Sequence, residues 1–155
     1  MGLKPRPHTQ RARALHRRAQ NYNWDFGVDG LETILADRAC DHGTGLLIFW
    51  MGAPGFDRQY ATAPEVDDWR RATFRFLRRL EKRLLKRDFA TSSILFNPQF
   101  DCTTISKNGH AWTAEYDDVE IKRPIPPELY EPSCADPQWE KLGRQTKKNT
   151  ANRLT

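Results

Sequence analysis

The densest group of reactive side chains in the sequence is Cys40, Asp41 and His42, which place a thiol, a carboxylate and an imidazole side by side. Structural zinc normally needs four well-spaced ligands, and no Cys-x-x-Cys or His-x-x-x-His pair accompanies these three residues. We therefore interpret Cys40 as a buried thiol, Asp41 as a helix cap and His42 as an exposed residue of the first helical turn. The sequence predicts no metal ion and no cofactor.

Other arrangements that could support catalysis are equally weak. Cys40 or Ser106 could be paired with His110, but no Gly-x-Ser-x-Gly elbow or comparable frame surrounds either of them. Gly43-Thr44-Gly45 precedes an apolar segment and could meet an anion, yet no lysine follows in the P-loop register. We predict no catalytic residue, and we expect a protein that is not an enzyme.

The most distinctive surface that the sequence predicts is a basic ridge on a long helix. Its cations recur every three or four residues, and this spacing places them along one side of a helix. The ridge consists of Arg71, Arg75, Arg78, Arg79, Lys82 and Arg83. On the same helix we expect Phe74 to be free to stack on a base, because Trp69 and Phe76 belong to the apolar stripe. The ridge is either a nucleic-acid surface or a solvated face that nearby acids neutralise.

Charge alternates in blocks along the 155 residues, which carry a formal net charge of +5. Segments 1–20 and 70–88 are basic, whereas segments 21–69 and 89–140 are acidic, so acids could lie beside the basic helices. Hydrophobic residues make up 38%, which is enough for one domain with a real core. No apolar run approaches the roughly 20 residues that span a bilayer. Three cysteines do not make a disulfide framework, so we expect a cytoplasmic protein.

Hydrophobic periodicity and capping signals predict four helices that would position these residues. They span about 9–21, 29–38, 42–52 and 63–87. The last helix begins with Thr62-Ala63-Pro64-Glu65, which matches a capping box. The expected core residues are Leu15, Trp24, Leu31, Ile34, Leu35, Leu46, Leu47, Phe49, Trp50, Trp69, Phe76, Leu77, Leu80 and Leu84.

The chain after the long helix has a different pattern. Asn108-Gly109 favours a tight turn, so we predict a short β-hairpin in which Ile105 faces Trp112 and Asp101 faces Tyr116. The predicted fold class is α+β, mostly α: a small helical bundle followed by this hairpin and an extended Pro-rich tail.

The predicted domain organisation has four parts. An irregular N-terminus covers residues 1–8, and a single globular domain covers 9–121. Repeated prolines predict an extended segment over 122–140, which Tyr130 and Trp139 could hold in place. Residues 141–155 are basic and poor in large apolar groups, so we expect a disordered tail.

Two stretches of the sequence resemble a known family. The first is Asn21-Tyr22-Asn23-Trp24-Asp25, and the second is Cys40-Asp41-His42-Gly43-Thr44-Gly45-Leu46, followed by Phe49-Trp50. Their composition and spacing are similar to the bacterial domain-of-unknown-function family 4274. The chain departs from that pattern at Phe26, where the family often has an acidic residue, and at Gly45, where alanine is usual. The family has no assigned activity, so the resemblance implies an immunity-type, toxin-neutralising role only by analogy.

We interpret the first of these stretches as a structural turn rather than a functional site. Asn23 and Asp25 would bond backbone groups at helix ends, and Trp24 and Phe26 would anchor the turn to the core. Two functions remain open. The first is a protein-binding module with an unidentified protein partner, and the second is an RNA or DNA binder that uses the basic helix 70–87. We expect no membrane partner.

Overall fold

The computed structural model of the chain describes residues 7–141. Four α-helices form the bundle: α1 (Pro7–Gln20), α2 (Asp29–Ala36), α3 (His42–Met51) and α4 (Asp68–Leu85). Each corresponds to one of the predicted helices. Of the predicted disordered tail at 141–155, all but the first residue lies outside the described residues, as do the first six residues of the predicted irregular N-terminus.

Helix α3 is the centre of the bundle and packs against α1 and α4. Its side chains from Leu46 to Trp50 are all at most 2% exposed, as expected for an uninterrupted apolar run. Of the predicted core, every residue is buried except Trp24, which is half-buried against the core, and Trp69. No helix in the described part of the chain is long and apolar enough to cross a membrane.

Helix α4 begins later than predicted, and this changes which of its aromatic residues are buried. Ala63–Glu65 forms a separate 3₁₀ turn, and the α-helix begins only at Asp68. Trp69 therefore lies in the first turn, beyond the covered part of the helix, and is 74% exposed rather than part of the core. The loop that follows α3 instead covers Phe74, which is 4% exposed and contacts Tyr60 edge to face. The prediction that Phe74 is free to stack on a base was wrong.

The predicted β-hairpin is absent, since residues 7–141 contain only isolated β-bridges and no strand. Gly109 does have a positive φ of 99°, but Asp101 pairs with His110 instead of Tyr116. The Asp101 carboxylate accepts hydrogen bonds from the Thr103 backbone and from the Trp112 indole. These bonds bend the segment into a loop, and its mostly polar sequence offers no apolar face on which a sheet could pack. The fold is therefore helical rather than α+β.

The Pro-rich segment lies against the bundle and completes the core. Ile125 and Leu129 are buried, and the Trp50 indole donates a hydrogen bond of 2.9 Å to the Leu129 carbonyl oxygen. Tyr130 contacts the Trp50 ring edge to face at 5.2 Å. Trp139 stacks on Phe100, with ring centroids 6.3 Å apart. Prolines limit regular structure here to the 3₁₀ turn Pro127–Tyr130 and a helical turn over 137–141, so the segment is held largely by side chains and single hydrogen bonds.

Candidate functional site

Asp41 is the structural centre of the Cys-Asp-x-Gly-Thr stretch. Its carboxylate is fully buried and accepts hydrogen bonds from the Gly43 amide at 2.8 Å and the Thr91 hydroxyl at 2.6 Å. The amides of Ser93 and Ile94 donate to it as well. One carboxylate thus caps α3 and fixes the loop that follows α4. Both of its oxygens are used, so Asp41 has no acceptor left for a metal ion or a substrate.

Gly43 is required because α3 and this loop approach each other closely. A Cβ atom at position 43 would lie 2.0 Å from the Ile94 carbonyl oxygen, which is far inside any allowed contact. Thr44 is buried one residue later, with its hydroxyl 2.8 Å from Nδ1 of the buried His16. The Gly-Thr pair therefore serves packing between α1, α3 and the loop. It leaves no room for an anion at the helix start.

Burial suppresses the reactivity of Cys40 and His42. Desolvation, the largest cause, raises the pKa of the Cys40 thiol to about 12, so it is not a thiolate near neutral pH. The prediction that His42 is exposed was wrong, because the segment after α4 covers the first turn of α3. The His42 ring is 5% exposed and contacts Phe89 edge to face. Burial and the charge of Arg87 lower the pKa of His42 to about 4.

No catalytic or metal centre forms around these residues. Asp25 does not join Asp41 and His42 in a common site, because Asp25 is exposed whereas the other two are buried. Within residues 7–141, no three His, Cys, Asp or Glu side chains are grouped so that they could hold a metal ion. The motif residues Phe49 and Trp50 are core residues of α3.

The Asn-Tyr-Asn-Trp-Asp stretch is largely the structural turn that we expected. The Asn21 amide donates to the Arg17 carbonyl oxygen, and Asn23 Oδ1 accepts from the Asp25 amide at 2.9 Å. Trp24 packs edge to face on Phe76. The Asp25 carboxylate, by contrast, is exposed and makes no hydrogen bond to the described residues, so its predicted capping role is wrong.

The predicted basic ridge is mostly occupied by intramolecular contacts. Arg79 pairs with Glu32 at 2.8 Å, which ties α4 to α2. Arg83 donates to the Leu35 carbonyl oxygen at 2.6 Å, and its guanidinium carbon lies 4.1 Å from the centroid of the Phe89 ring. These two arginines hold neighbouring elements in place.

The N-terminal half of the ridge is similar. Arg71 pairs with Asp68 and donates to two carbonyl oxygens of the preceding turn. Arg78 lies over the buried Phe74 ring at 4.7 Å. Arg75 and Lys82 are the two ridge cations that are exposed and have no partner among the described residues. Two such cations, two helical turns apart, can neutralise few phosphates, so this helix offers little electrostatic attraction to nucleic acid.

An open groove of about 640 Å³ lies between α1 and α2. Its volume is within the range of known ligand sites. The groove is lined by Ala14, Arg17, Arg18, Asn21, Tyr22, Asn23, Phe26, Gly30 and Ile34. Tyr22 lies directly over Gly30, where a Cβ would be 2.6 Å from the Tyr22 ring. This contact makes the floor shallow and apolar.

Phe26 forms the end wall of this groove and is 80% exposed. The 3₁₀ turn Trp24–Phe26 turns Trp24 inward and Phe26 outward, and Gly27 ends the turn with a φ of 84°. The Tyr22 hydroxyl donates to the Gly27 carbonyl oxygen at 2.6 Å and so fixes the turn. The prediction that Phe26 would anchor the turn to the core was wrong. Two large aromatics that flank one residue of a tight turn cannot both face inward. This spacing is the sequence signal that could have identified an exposed ring.

The groove combines this aromatic wall with positive charge. Arg17 and Arg18 line it from α1 and are exposed. Arg13, one turn earlier on α1, is exposed too. Arg11 differs, because its guanidinium is held by Asp37 at 2.6 Å. An apolar floor beside an exposed ring and exposed cations can hold a polypeptide segment through packing and ion pairs.

Comparison with known proteins identifies the helical part of the chain. Residues 10–85 match the family model described as domain of unknown function (DUF4274), a range that contains both sequence stretches and all of α2, α3 and α4. Neither the curated proteins nor the solved structures gave a match to the chain. The segment that builds the bundle, with its buried Asp41 cap and its Asn23 turn, therefore belongs to the DUF4274 family.

Proposed function

We propose that this protein is a non-enzymatic protein-binding module that docks a partner in the groove between α1 and α2. The observation that carries the proposal is Phe26, which is 80% exposed on a turn that hydrogen bonds hold in place. A large aromatic at the edge of an apolar groove is a common anchor at protein interfaces. Trp69, the other strongly exposed large aromatic of the described bundle, is not among the residues that line this groove.

The groove's form fits a polypeptide better than a small molecule. It is shallow because Tyr22 fills the space above Gly30, so a small ligand would stay largely in water. A helix or loop laid between α1 and α2 would instead cover the Phe26 ring and the floor together. Toxin neutralisation is one specific form that such binding could take. Free thiols at all three cysteines support a reducing compartment such as the cytoplasm.

The alternative, nucleic-acid binding through the helix 70–87, has less support. Four of its six ridge cations are engaged in contacts that hold the fold. Phe74, the residue expected to stack on bases, is buried. Among the described ridge cations, only the exposed pair Arg75 and Lys82 favours this function.

Site-specific photo-crosslinking tests the docking proposal. A benzoylphenylalanine replaces Phe26 in the full chain, and the irradiated mixture contains an extract of the organism that encodes the protein. The matched control carries the same group in place of Trp69, which is nearly as exposed but does not line the groove between α1 and α2. We expect a discrete protein adduct at position 26 that is absent at position 69.

Competition makes this result specific to the groove. Unlabelled wild-type protein and Trp69→Ser should both suppress the adduct, whereas Phe26→Ser should suppress it at least about tenfold less effectively. Equal adducts at positions 26 and 69, or equal competition by Phe26→Ser, would contradict the proposal. The circular dichroism spectrum of Phe26→Ser should match that of the wild type, because the replaced ring is in solvent.

A further inference from the structure

Resting on the proposed docking function, we infer that the partner presents an acidic segment with an apolar anchor. Its carboxylates lie against Arg17 and Arg18 on α1, and its apolar side chain packs beside Phe26. The inference follows from the charge distribution around the groove and from the exposure of Phe26 on a turn that hydrogen bonds hold in place.

The groove lining itself is cationic. Its nine residues include two guanidinium groups and no carboxylate. Arg13 extends the same charge by one turn of α1, since residues four apart share a helix side. An unpaired surface arginine is well suited to bind carboxylates, because its planar fork can donate two parallel hydrogen bonds. A partner with an acidic segment supplies the complementary charge.

The acids nearest to the groove lie outside its lining. Asp37 is already bound by Arg11, which donates hydrogen bonds to both of its carboxylate oxygens, and Arg18 contributes only a minor coulombic effect on it. Asp25 and Asp29 are exposed at the Phe26 end, at the turn and the start of α2. Positive charge is thus concentrated along α1, whereas the turn is mildly acidic. This polarity places the acidic part of the partner along α1 rather than beside the turn.

The apolar part of the groove sets the second requirement. Ala14, Tyr22 and Ile34 supply the apolar floor of the groove, and Ile34 is 1% exposed. The Phe26 ring stands at one end of this floor, so a leucine, methionine or aromatic side chain of the partner would lose its water by packing between ring and floor. A purely acidic, fully polar segment would leave Phe26 in solvent.

Three synthetic peptides of about four helical turns probe this chemistry by fluorescence anisotropy. The first carries glutamates on one face and leucines on the other. The second keeps the glutamates but replaces the leucines by serines, and the third keeps the leucines but replaces the glutamates by lysines. We expect the first peptide to bind the full chain at least about tenfold tighter than either of the others, with an affinity that falls as salt rises.

Paired variants locate the binding. Arg17→Glu with Arg18→Glu should weaken the acidic peptide about tenfold, because two ion pairs become repulsions. Arg75→Glu with Lys82→Glu changes the net charge equally on α4 and should leave the affinity within about twofold. All four side chains are largely exposed, so unchanged thermal melts are expected and should accompany the comparison.

The outcomes separate this inference from the docking function. Equal or tighter binding of the lysine peptide would overturn the inference, as would equal losses in the two charge-reversed pairs. Displacement of the acidic peptide by single-stranded RNA homopolymer at matched phosphate concentration would identify a general polyanion surface and would overturn it too. A position-26 adduct that persists unchanged in Arg17→Glu with Arg18→Glu would refute only the acidic partner. If the protein that carries benzoylphenylalanine at position 26 and no other change forms no adduct, the docking function itself is refuted.

Discussion

Replacement of His42 by leucine should make the fold more resistant to acid. The imidazole is 5% exposed, and its Nδ1 is buried without a hydrogen-bond partner among the described residues. Burial is the largest cause of its lowered pKa, and the charge of Arg87 adds to it. A cation at the N-terminal end of α3 is disfavoured by the helix dipole as well. The folded protein therefore holds His42 neutral where the unfolded chain would protonate it.

The magnitude follows from proton linkage. The pKa of His42 falls from 6.5 to about 4 on folding, so between these pH values the unfolded chain binds a proton that the folded protein does not. The free energy of unfolding then falls by about 1.4 kcal/mol for each pH unit below 6.5. Over the whole window the loss amounts to about 3 kcal/mol. Above pH 7 the His42 imidazole is neutral in both the folded and the unfolded protein, so none of this loss occurs and the full free energy of unfolding is present.

Urea unfolding of wild type and His42→Leu between pH 4 and pH 7 measures this difference. Near pH 7 the two proteins should differ by less than about 1 kcal/mol, since leucine removes an unpartnered nitrogen but fills the space less well. Near pH 4 the variant should be more stable by about 2 to 3 kcal/mol. Burial raises the pKa values of Asp57 and Glu81, but these groups titrate in both proteins and cancel.

Parallel stability curves for the two proteins would refute the argument. A histidine NMR titration gives an independent check, because the His42 ring resonances should have a midpoint near 4 rather than near 6.5. A midpoint at the ordinary value would mean that the ring is hydrated, and the close contact with Phe89 would then be wrong.

Other substitutions examine the structural motif. Gly43→Ala should lower the free energy of unfolding by more than about 2 kcal/mol, although alanine favours helices, because its Cβ would collide with the Ile94 carbonyl oxygen; an unchanged urea midpoint would contradict that contact. Asn23→Ala should cost about 1 kcal/mol by losing the bond to the Asp25 amide, whereas Asp25→Ala should change stability by less than about 0.5 kcal/mol; equal losses in thermal melts would argue against this division of roles. Iodoacetamide near pH 7.5 should label Cys40 only after unfolding, as judged by peptide mass spectrometry, and rapid native labelling would disprove its burial.

Local signals in the sequence were sufficient for the existence of the four helices and for the cap of α3, although they placed the start of α4 too early. The uninterrupted apolar run of α3 is stable in water only when it is buried on all sides. Asp41 can cap the helix because the capping bond needs only the backbone amide two residues away. The structural role of Asn23 could be predicted for the same reason, because its side chain bonds a backbone amide only two residues away. The charge blocks likewise anticipated that acids and bases lie together, as in the pair of Arg79 with Glu32.

The tertiary structure decided which side chains remain exposed, because exposure depends on elements distant in sequence. Phe74 is covered by the loop after α3, while Trp69 extends past the bundle although both lie on α4. A loop forms in place of the predicted hairpin, because the hydrogen bonds that the Asp101 carboxylate accepts are stronger than the pairing of two mostly polar strands.

The candidate docking groove is the clearest example. Trp24 and Phe26 are both large aromatics of one turn, and only the packing of Trp24 against Phe76 determines which of them points into solvent. The sequence by itself determined the helices, the buried α3 and the capping aspartate, since these need only neighbouring residues. Which arginines stay unpaired and which aromatic ring is exposed depended on long-range contacts, and no local pattern encodes those.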